Sequence, residues 1–382
     1  MQLFQSKLPS VGLTIFSQMT ALANQQKAIN LSQGFPDFDG PKPLLDAVGR
    51  FIAEGKNQYA PMAGLPELCK AVSDKVFRCY GRKLDAESEV TITSGATEAI
   101  FAAISATVNA GDEVIVFDPA YDSYEPAVTL NGGITVHIPL LPPKFAIDFQ
   151  RLQDAITPRT RMIIFNSPHN PTGSVMSSED LLQLEQLLEG TNILLLSDEV
   201  YEHIIFDNQA HQSFNRSPML AERSFIVSSF GKTYHVTGWK VGYCVAPEAL
   251  MKEFRKVHQY LTFSTSTPMQ AAIAEYMQSD AEHDQNLPIF YQQKRDLMNE
   301  RLSSSRFGIM PSPGTYFQLL DYTAISDLSD QEFVLWLLKE AGVATIPLSP
   351  FYKDGTQTGM VRLCFAKSSD TLEKAAEQLC RI

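Results

Sequence analysis

Two lysines eight positions apart, Lys232 and Lys240, stand in the stretch Ser228-Ser229-Phe230-Gly231-Lys232-Thr233-Tyr234-His235-Val236-Thr237-Gly238-Trp239-Lys240-Val241-Gly242. An apolar run before it, Phe225-Ile226-Val227, reads as a short buried strand, and Val241 to Ala246 reads as another. Between them lies a turn rich in small and hydroxylic residues. A lysine held between two buried strands loses part of its hydration. That loss lowers the amine pKa, and a neutral amine attacks a carbonyl to form a Schiff base. The plainer alternative is a solvated loop lysine. The Ser229 hydroxyl and the Lys240 ammonium can face a phosphate while Lys232 holds an aldehyde of the same ligand. A phosphate and an aldehyde in one small molecule describe pyridoxal phosphate.

The pattern S-x-G-K-T-x-x-x-T-G-W-K-x-G resembles the lysine region of the fold-type I (class I/II) pyridoxal-phosphate aminotransferases. Lysine at 240, where most members carry arginine, is similar to their kynurenine/glutamine/methionine branch, and within it to the bacterial methionine enzymes. The resemblance extends from Gly12 to the C-terminus, with six separated motifs in family order. It implies an α/β fold, with a large domain whose mostly parallel sheet lies between helices and a smaller α+β domain.

The segment Ile29 to Pro41 carries two glycines and two prolines, which forbid helix and give an extended connector. Gly34 lets a ligand approach the backbone closely or serves a plain loop; the resemblance puts its backbone beside the substrate carboxylate. Tyr59, in Asn57-Gln58-Tyr59, is a surface tyrosine by type. The resemblance implies that it reaches the cofactor phosphate of a second subunit, so a homodimer is expected.

Val90 to Thr93 reads as a strand, Ser94 to Glu98 as a small-residue turn and Ala99 to Val108 as a helix. Such a turn offers free N–H groups and the positive end of a helix dipole to an anion, or is simply tight. By resemblance the phosphate sits on the N–H groups of Ala96 and Thr97. Tyr121, after the strand Glu113 to Phe117, falls where the family stacks an aromatic ring on the pyridine. Tyr124 either lines the substrate side or packs in the core. Asn170, in Asn170-Pro171-Thr172-Gly173, matches the asparagine that donates to the ring hydroxyl.

Asp198 ends the fully apolar run Ile193 to Leu196, at the edge where buried parallel strands present ligand contacts. A carboxylate there keeps a pyridine nitrogen protonated, with Tyr201 on the ring hydroxyl; a helix cap and a core tyrosine are the alternatives. Arg362 interrupts the apolar strand Met360 to Phe365, which is costly unless the charge is paired or enters a polar cleft. A guanidinium suits an α-carboxylate, and the family's substrate arginine has this V-R-x-C-F context.

Stepwise helices follow Val245: Ala249 to Tyr260, Met269 to Met277, Leu287 to Leu302 and Gln331 to Ala341, with strands within Phe307 to Tyr322. The change from βα alternation to helices with a small sheet suggests two domains; the resemblance implies residues 1–42 as an N-terminal arm and part of the small domain, 43–285 as the large cofactor domain and 286–382 as the rest of the small domain. A chain of 382 residues accommodates that.

Composition is ordinary for a globular protein, with 44% hydrophobic and 19% charged residues. A net charge of −12 argues against nucleic-acid partners. Five scattered cysteines without a CxxC pair fit neither a disulfide framework nor a metal site. No basic stretch followed by an apolar one opens the chain, and no apolar run approaches the ~20 residues of a membrane span, so a cytoplasmic protein is expected. No second arginine for a dicarboxylate is evident, and Phe16, Tyr59 and Tyr124 suggest an apolar-aromatic pocket. Methionine and other large neutral or aromatic amino acids are the expected donors to a 2-oxo acid. A carbon–sulfur β-lyase would use the same site. A non-enzymatic regulator would need a basic DNA-binding extension, which is not seen before Gly12.

Overall fold

In the computed structural model, residues 5–9 and 11–382 are described. Residues 1–4, part of the stretch without an export signature, lie outside the described residues.

A seven-stranded sheet forms the centre, in the order Val90–Thr93, Gly242–Val245, Ser224–Ser229, Leu194–Asp198, Thr160–Asn166, Glu113–Asp118, Ile134–Pro139. Only Gly242–Val245 runs against its neighbours; the other four pairs of the register are parallel. The middle strands are apolar on both faces because helices cover both. Their register sets Asn166 opposite Asp198 and Asp198 opposite Val227. Three polar residues, Asn166, Asp198 and Ser229, therefore emerge together at the carboxyl edge of adjacent parallel strands. That edge is where open α/β sheets bind ligands.

A four-stranded antiparallel sheet orders Ile346–Pro347, Met360–Cys364, Phe317–Asp321 and Gly308–Ile309. The pair Ile29–Asn30 and Val343–Ala344 is parallel, which ties the beginning of the chain to its last third. The helices His283–Leu302 and Ser369–Leu379 pack together beside this sheet.

Several boundaries differ from the sequence expectation. The helix after the first strand starts at Ala96, not Ala99, because Gly95 takes φ +77° and turns the chain straight into it. The long helix begins at His283 and keeps Pro288 inside, since burial of Asp284 and Leu287 favours one more turn before the proline. The expected division at 285 thus falls in that helix's first turn. The helix Pro66–Tyr80 lies outside the segments expected from sequence, although Leu68, Val72 and Val76 repeat at four-residue spacing. The helix Ser178–Leu188 opens on a capping box, in which Ser177 and Asp180 satisfy each other's backbone N–H groups.

Pro66–Tyr80 is fastened to the sheet by a buried ionic cluster. Glu202 accepts from Lys75 and Tyr80 on one oxygen, and from Ser228 and Tyr243 (2.7 Å) on the other. Burial alone would push this carboxyl up, but Lys75 and His203 with these donors hold it well below the usual range. A folded pKa below the unfolded one means that its stabilisation is present above about pH 4.3 and fades as pH falls. Lys75→Met strands the carboxylate and should cost about 3–5 kcal/mol in urea unfolding at pH 7.

Candidate active site

The Lys232 stretch folds as the sequence suggests, with one refinement. Ser224–Ser229 delivers the chain into a single helical turn, Phe230–Thr233, and Thr237–Trp239 forms another before the return strand. Gly231 has no room for a side chain, since a Cβ would lie 2.9 Å from the Thr237 backbone. This close approach folds the loop on itself and sets Lys232 and Lys240 on one cavity of about 250 Å³.

Lys232 is partly open to that cavity. Its Nζ donates to the Tyr316 hydroxyl at 2.8 Å and to the Gly34 carbonyl at 3.3 Å. Burial pulls its amine down to about 8 from the ordinary lysine value. At neutral pH the unprotonated fraction is roughly a hundredfold larger than for a solvated lysine. This is a nucleophile and a base in one group.

At one end of the cavity, Gly95, Ala96 and Thr97 open the helix Ala96–Thr107 alongside Ser229 and Lys240. A Cβ on Gly95 would meet the Lys240 Cε and Nζ at 3.3 Å, so the ammonium lies across this glycine, next to the helix N-terminus. Free N–H groups, the helix dipole and a lysine together make an anion seat.

In the middle, Asp198 is buried, and no cation lies within ion-pair distance of it among the described residues. Burial raises its carboxyl to about 6, against the stabilising hydrogen bond from the Tyr124 hydroxyl (2.6 Å). A desolvated carboxylate of this kind calls for a positively charged N–H from a ligand. Tyr121 and Tyr201 line the same space. Burial, with the Asp122 charge, pushes the Tyr121 phenol up.

At the other end, Arg362 is 1% exposed and belongs to the strand Met360–Cys364. Its guanidinium lies 3.9 Å over the Phe317 ring and 5.1 Å from that of Phe16. Nη1 donates to Asn170 Oδ1 (2.8 Å), Nη2 donates to the Ser32 carbonyl (3.0 Å), and Nε has no partner. The structural salt bridge that could have explained this residue is not formed among the described residues. Burial lowers Arg362 to about 10, so it remains charged at neutral pH. A buried cation facing a cavity without an anion is a carboxylate receptor.

The cavity thus gathers Phe16, Gly34, Ala96, Thr97, Tyr121, Asn170, Asp198, Tyr201, Ser229, Lys232, Lys240 and Arg362 from the whole length of the sequence. Two expectations end elsewhere. Tyr124 does not line it: this tyrosine stands behind Asp198, because the helix Tyr124–Leu130 turns its ring inward and its hydroxyl satisfies the carboxylate. Tyr59 lies outside its own chain's cavity, 84% exposed and edge-on to Phe263 at 5.4 Å.

Two other residues at the site were not foreseen: Asn166, on the cavity wall, and Tyr316, which bonds Lys232 without lining the cavity. Asn166 ends its strand as Asp198 does, and the same signal, a polar residue closing an apolar run, would have found it. Its Nδ2 donates to the Asp198 carbonyl (2.9 Å) and its Oδ1 accepts from the Asn170 N–H (2.8 Å), so it braces both. Tyr316 carries no such signal, since a tyrosine at the start of a buried strand looks like core. Among the described residues no cluster that could hold a metal is present, and no helix is long and apolar enough to cross a membrane.

Residues 26–379 match the family model of aminotransferase class I and II. The methionine aminotransferase of Escherichia coli (strain K12) is 54% identical over 375 residues, covering 98% of this chain and 97% of that protein. A probable N-succinyldiaminopimelate aminotransferase of Mycobacterium tuberculosis is 38% identical, again with 98% and 97% covered. A crystal structure of Escherichia coli YbdL, described as having a methionine aminotransferase function, superposes with a TM-score of 0.98 at 53% identity, covering all of both chains. The chain is a member of the class I and II aminotransferases, with the fold of that family.

Proposed function

We propose that this aminotransferase holds pyridoxal phosphate through Lys232 and takes methionine and other large neutral or aromatic amino acids as donors to a 2-oxo acid. The observation that carries this reading is one cavity with a deprotonable Lys232, an unpaired buried Asp198 and an unpaired buried Arg362. The residues fit the group. Lys240, Ser229 and the N–H groups of Ala96 and Thr97 suit its phosphate. Asp198 suits a protonated ring nitrogen, Asn170 and Tyr201 the ring hydroxyl, and Tyr121 the ring face.

When bound, pyridoxal phosphate supplies an aldehyde that exchanges for the donor's amino group and a ring that draws off the electron pair left at Cα. Arg362, on the cavity wall, clamps the donor α-carboxylate with the N–H groups left over from its bonds to Asn170 and Ser32, with the Gly34 backbone beside it. Lys232, once free, takes the Cα proton and later returns a proton on the cofactor side. The amino group stays on the enzyme until a 2-oxo acid collects it, which gives ping-pong kinetics. Among the described residues, Lys232, Lys240 and Arg362 are the only cations on the cavity wall, so no further one of them serves a distal carboxylate, whereas Phe16, Ile100 and Val200 offer apolar surface. The name of the Escherichia coli relative supports methionine in particular.

The exposed Tyr59 supports a homodimer in which this residue serves the other subunit's phosphate. The pairing of Ile29–Asn30 with Val343–Ala344 supports residues 1–42 and 286–382 as one smaller domain beside a cofactor domain at 43–285. Scattered, unbonded cysteines accord with a reducing cytoplasm.

Adding methionine to the purified, cofactor-loaded protein should remove its near-visible absorbance band, and a 2-oxo acid should restore it. Lys232→Ala should abolish the cycle; a band indifferent to methionine would rule out that donor. Arg362→Lys should raise the methionine KM roughly 10–100-fold with a smaller change in kcat, because a lysine cannot reproduce the planar fork. Asp198 gives a test without cofactor. Its folded pKa of about 6 lies above the unfolded one, so its stabilising contribution is complete below about pH 3.9 and lost as pH rises through 6. In calorimetry of cofactor-free protein, the Tm advantage of Asp198→Asn over wild type should widen across that window and then level off.

A further inference from the structure

The tyrosine hydroxyl on Lys232 has a bonding pattern that packing does not require. Tyr316 is fully buried, with Tyr201, Phe317 and Tyr291 around its ring at centroid distances of 5.1, 5.0 and 5.7 Å. Its backbone is fixed from the preceding residue: Thr315 takes φ +65°, gives its N–H to the Ile204 carbonyl and accepts from the Phe317 N–H at its hydroxyl. The Tyr316 hydroxyl donates to the Gly34 carbonyl at 2.5 Å. Burial pushes the phenol well above its ordinary value, so this proton stays in place. With its proton committed to Gly34, the oxygen can only accept from Lys232 Nζ, 2.8 Å away.

We propose that Tyr316 is a positioning residue for the transamination, one that orients the Lys232 amine for proton transfer by occupying one of its three bonding directions; this rests on the reading of Lys232 given above. Beyond its Cε bond, Nζ has three directions. The Tyr316 oxygen takes one, and the Gly34 carbonyl, 3.3 Å away, takes a second. The third is left for the cavity. In the amine it holds the lone pair, and in the ammonium it holds the mobile N–H. When the donor's Cα–H bond breaks, the proton forms an N–H bond in that direction and the bonding pair stays on the substrate side. Return of the proton reverses the same step. Tyr316 neither gains nor loses a proton; it keeps the exchanging direction aimed.

The same contact joins the two ends of the site. Ser32, two residues before Gly34, accepts from Arg362 Nη2, and Phe317, next to Tyr316, lies under the Arg362 guanidinium. Two consecutive residues of one strand entrance and one short segment therefore address both the base and the carboxylate receptor.

Tyr316→Phe removes the oxygen and keeps the ring. In cofactor-free protein, the pH midpoint for modification of Lys232 by an amine-reactive acylating reagent, read by peptide mass spectrometry, should move down by about one unit, because the ammonium loses an acceptor. In the loaded enzyme, kcat should fall about 10–100-fold at little-changed methionine KM, and the isotope effect with α-deuterated methionine should rise as proton transfer becomes limiting. Tyr291→Phe, which removes a hydroxyl from the same aromatic cluster but not from Lys232, should leave midpoint and isotope effect at wild-type values. Should Tyr316→Phe fail to fold, 4-aminophenylalanine at 316 keeps the ring and a donor to Gly34 but is a poor acceptor, and should move both readouts the same way. A wild-type midpoint together with a wild-type isotope effect would overturn the role of Tyr316. A wild-type protein without any methionine-driven spectral cycle would overturn the reading of the site instead, and the acylation midpoint would still decide whether Tyr316 governs the amine.

Discussion

Withdrawing a lysine amine from water without giving it a carboxylate partner is the constraint on which this structure turns. Paired with a carboxylate, Lys232 would stay protonated far above neutral pH; left in solvent, it would do the same. Here its near neighbours are a phenol oxygen and a peptide carbonyl, both uncharged; farther away Lys240 and Arg362 disfavour its charge and Cys364 and Asp198 favour it, so that burial decides the direction. Cavity, sheet edge and small sheet can all be understood as the means of keeping those neighbours in place. Placing three charges of two signs around one cavity, each denied its natural partner, costs stability that the core must offset. It leaves a site whose electrostatic needs are met by a bound ligand.

The central sheet supplies the precision. Asn166, Asp198 and Ser229 close three neighbouring strands, with Asn166 paired to Asp198 and Asp198 to Val227, so their spacing is set by the hydrogen-bond ladder and not by loops. Behind them, Tyr124 holds the Asp198 carboxylate and Asn166 holds the Asp198 backbone. The small sheet contributes Arg362 and the Phe317 ring beneath it. The two sheets are bridged at the site by single hydrogen bonds, Asn170 to Arg362 and Lys232 to Tyr316.

What the sequence made legible follows from which signals are local. Lys232, Asp198 and Arg362 each break a local pattern: a lysine among small residues, a carboxylate closing an apolar run, a charge inside a strand. Their meeting in one cavity was legible only through the order of the motifs. Tyr124 and Tyr316 show the limit. Both are tyrosines in apolar surroundings, and which way a ring turns is decided by tertiary packing that no local pattern encodes. Tyr124 turned inward to Asp198 and left the substrate side; Tyr316 turned toward Lys232. Helix starts at Ala96 and His283 shifted for the same kind of reason, a glycine's positive φ in one case and burial of the first turn in the other.

The pairing of Ile29–Asn30 with Val343–Ala344 has a consequence for how the protein comes into being. The segment just after that short strand carries the carbonyls of Ser32 and Gly34, and it is further pinned where Lys367 donates to Phe35 and where Ser368 and Thr371 donate to Asp37. All of these anchors are made by residues translated near the end of the chain. On the ribosome, the βα units from Val90 to Val245 can assemble before residues 29–41 gain these anchors. Contacts spanning almost the entire sequence form last and slowly. Until they form, Lys232 lacks Tyr316 and Gly34, and Arg362 lacks Ser32. A nascent or C-terminally truncated chain would therefore carry a folded sheet but no oriented amine, so reactivity arrives only with completed synthesis.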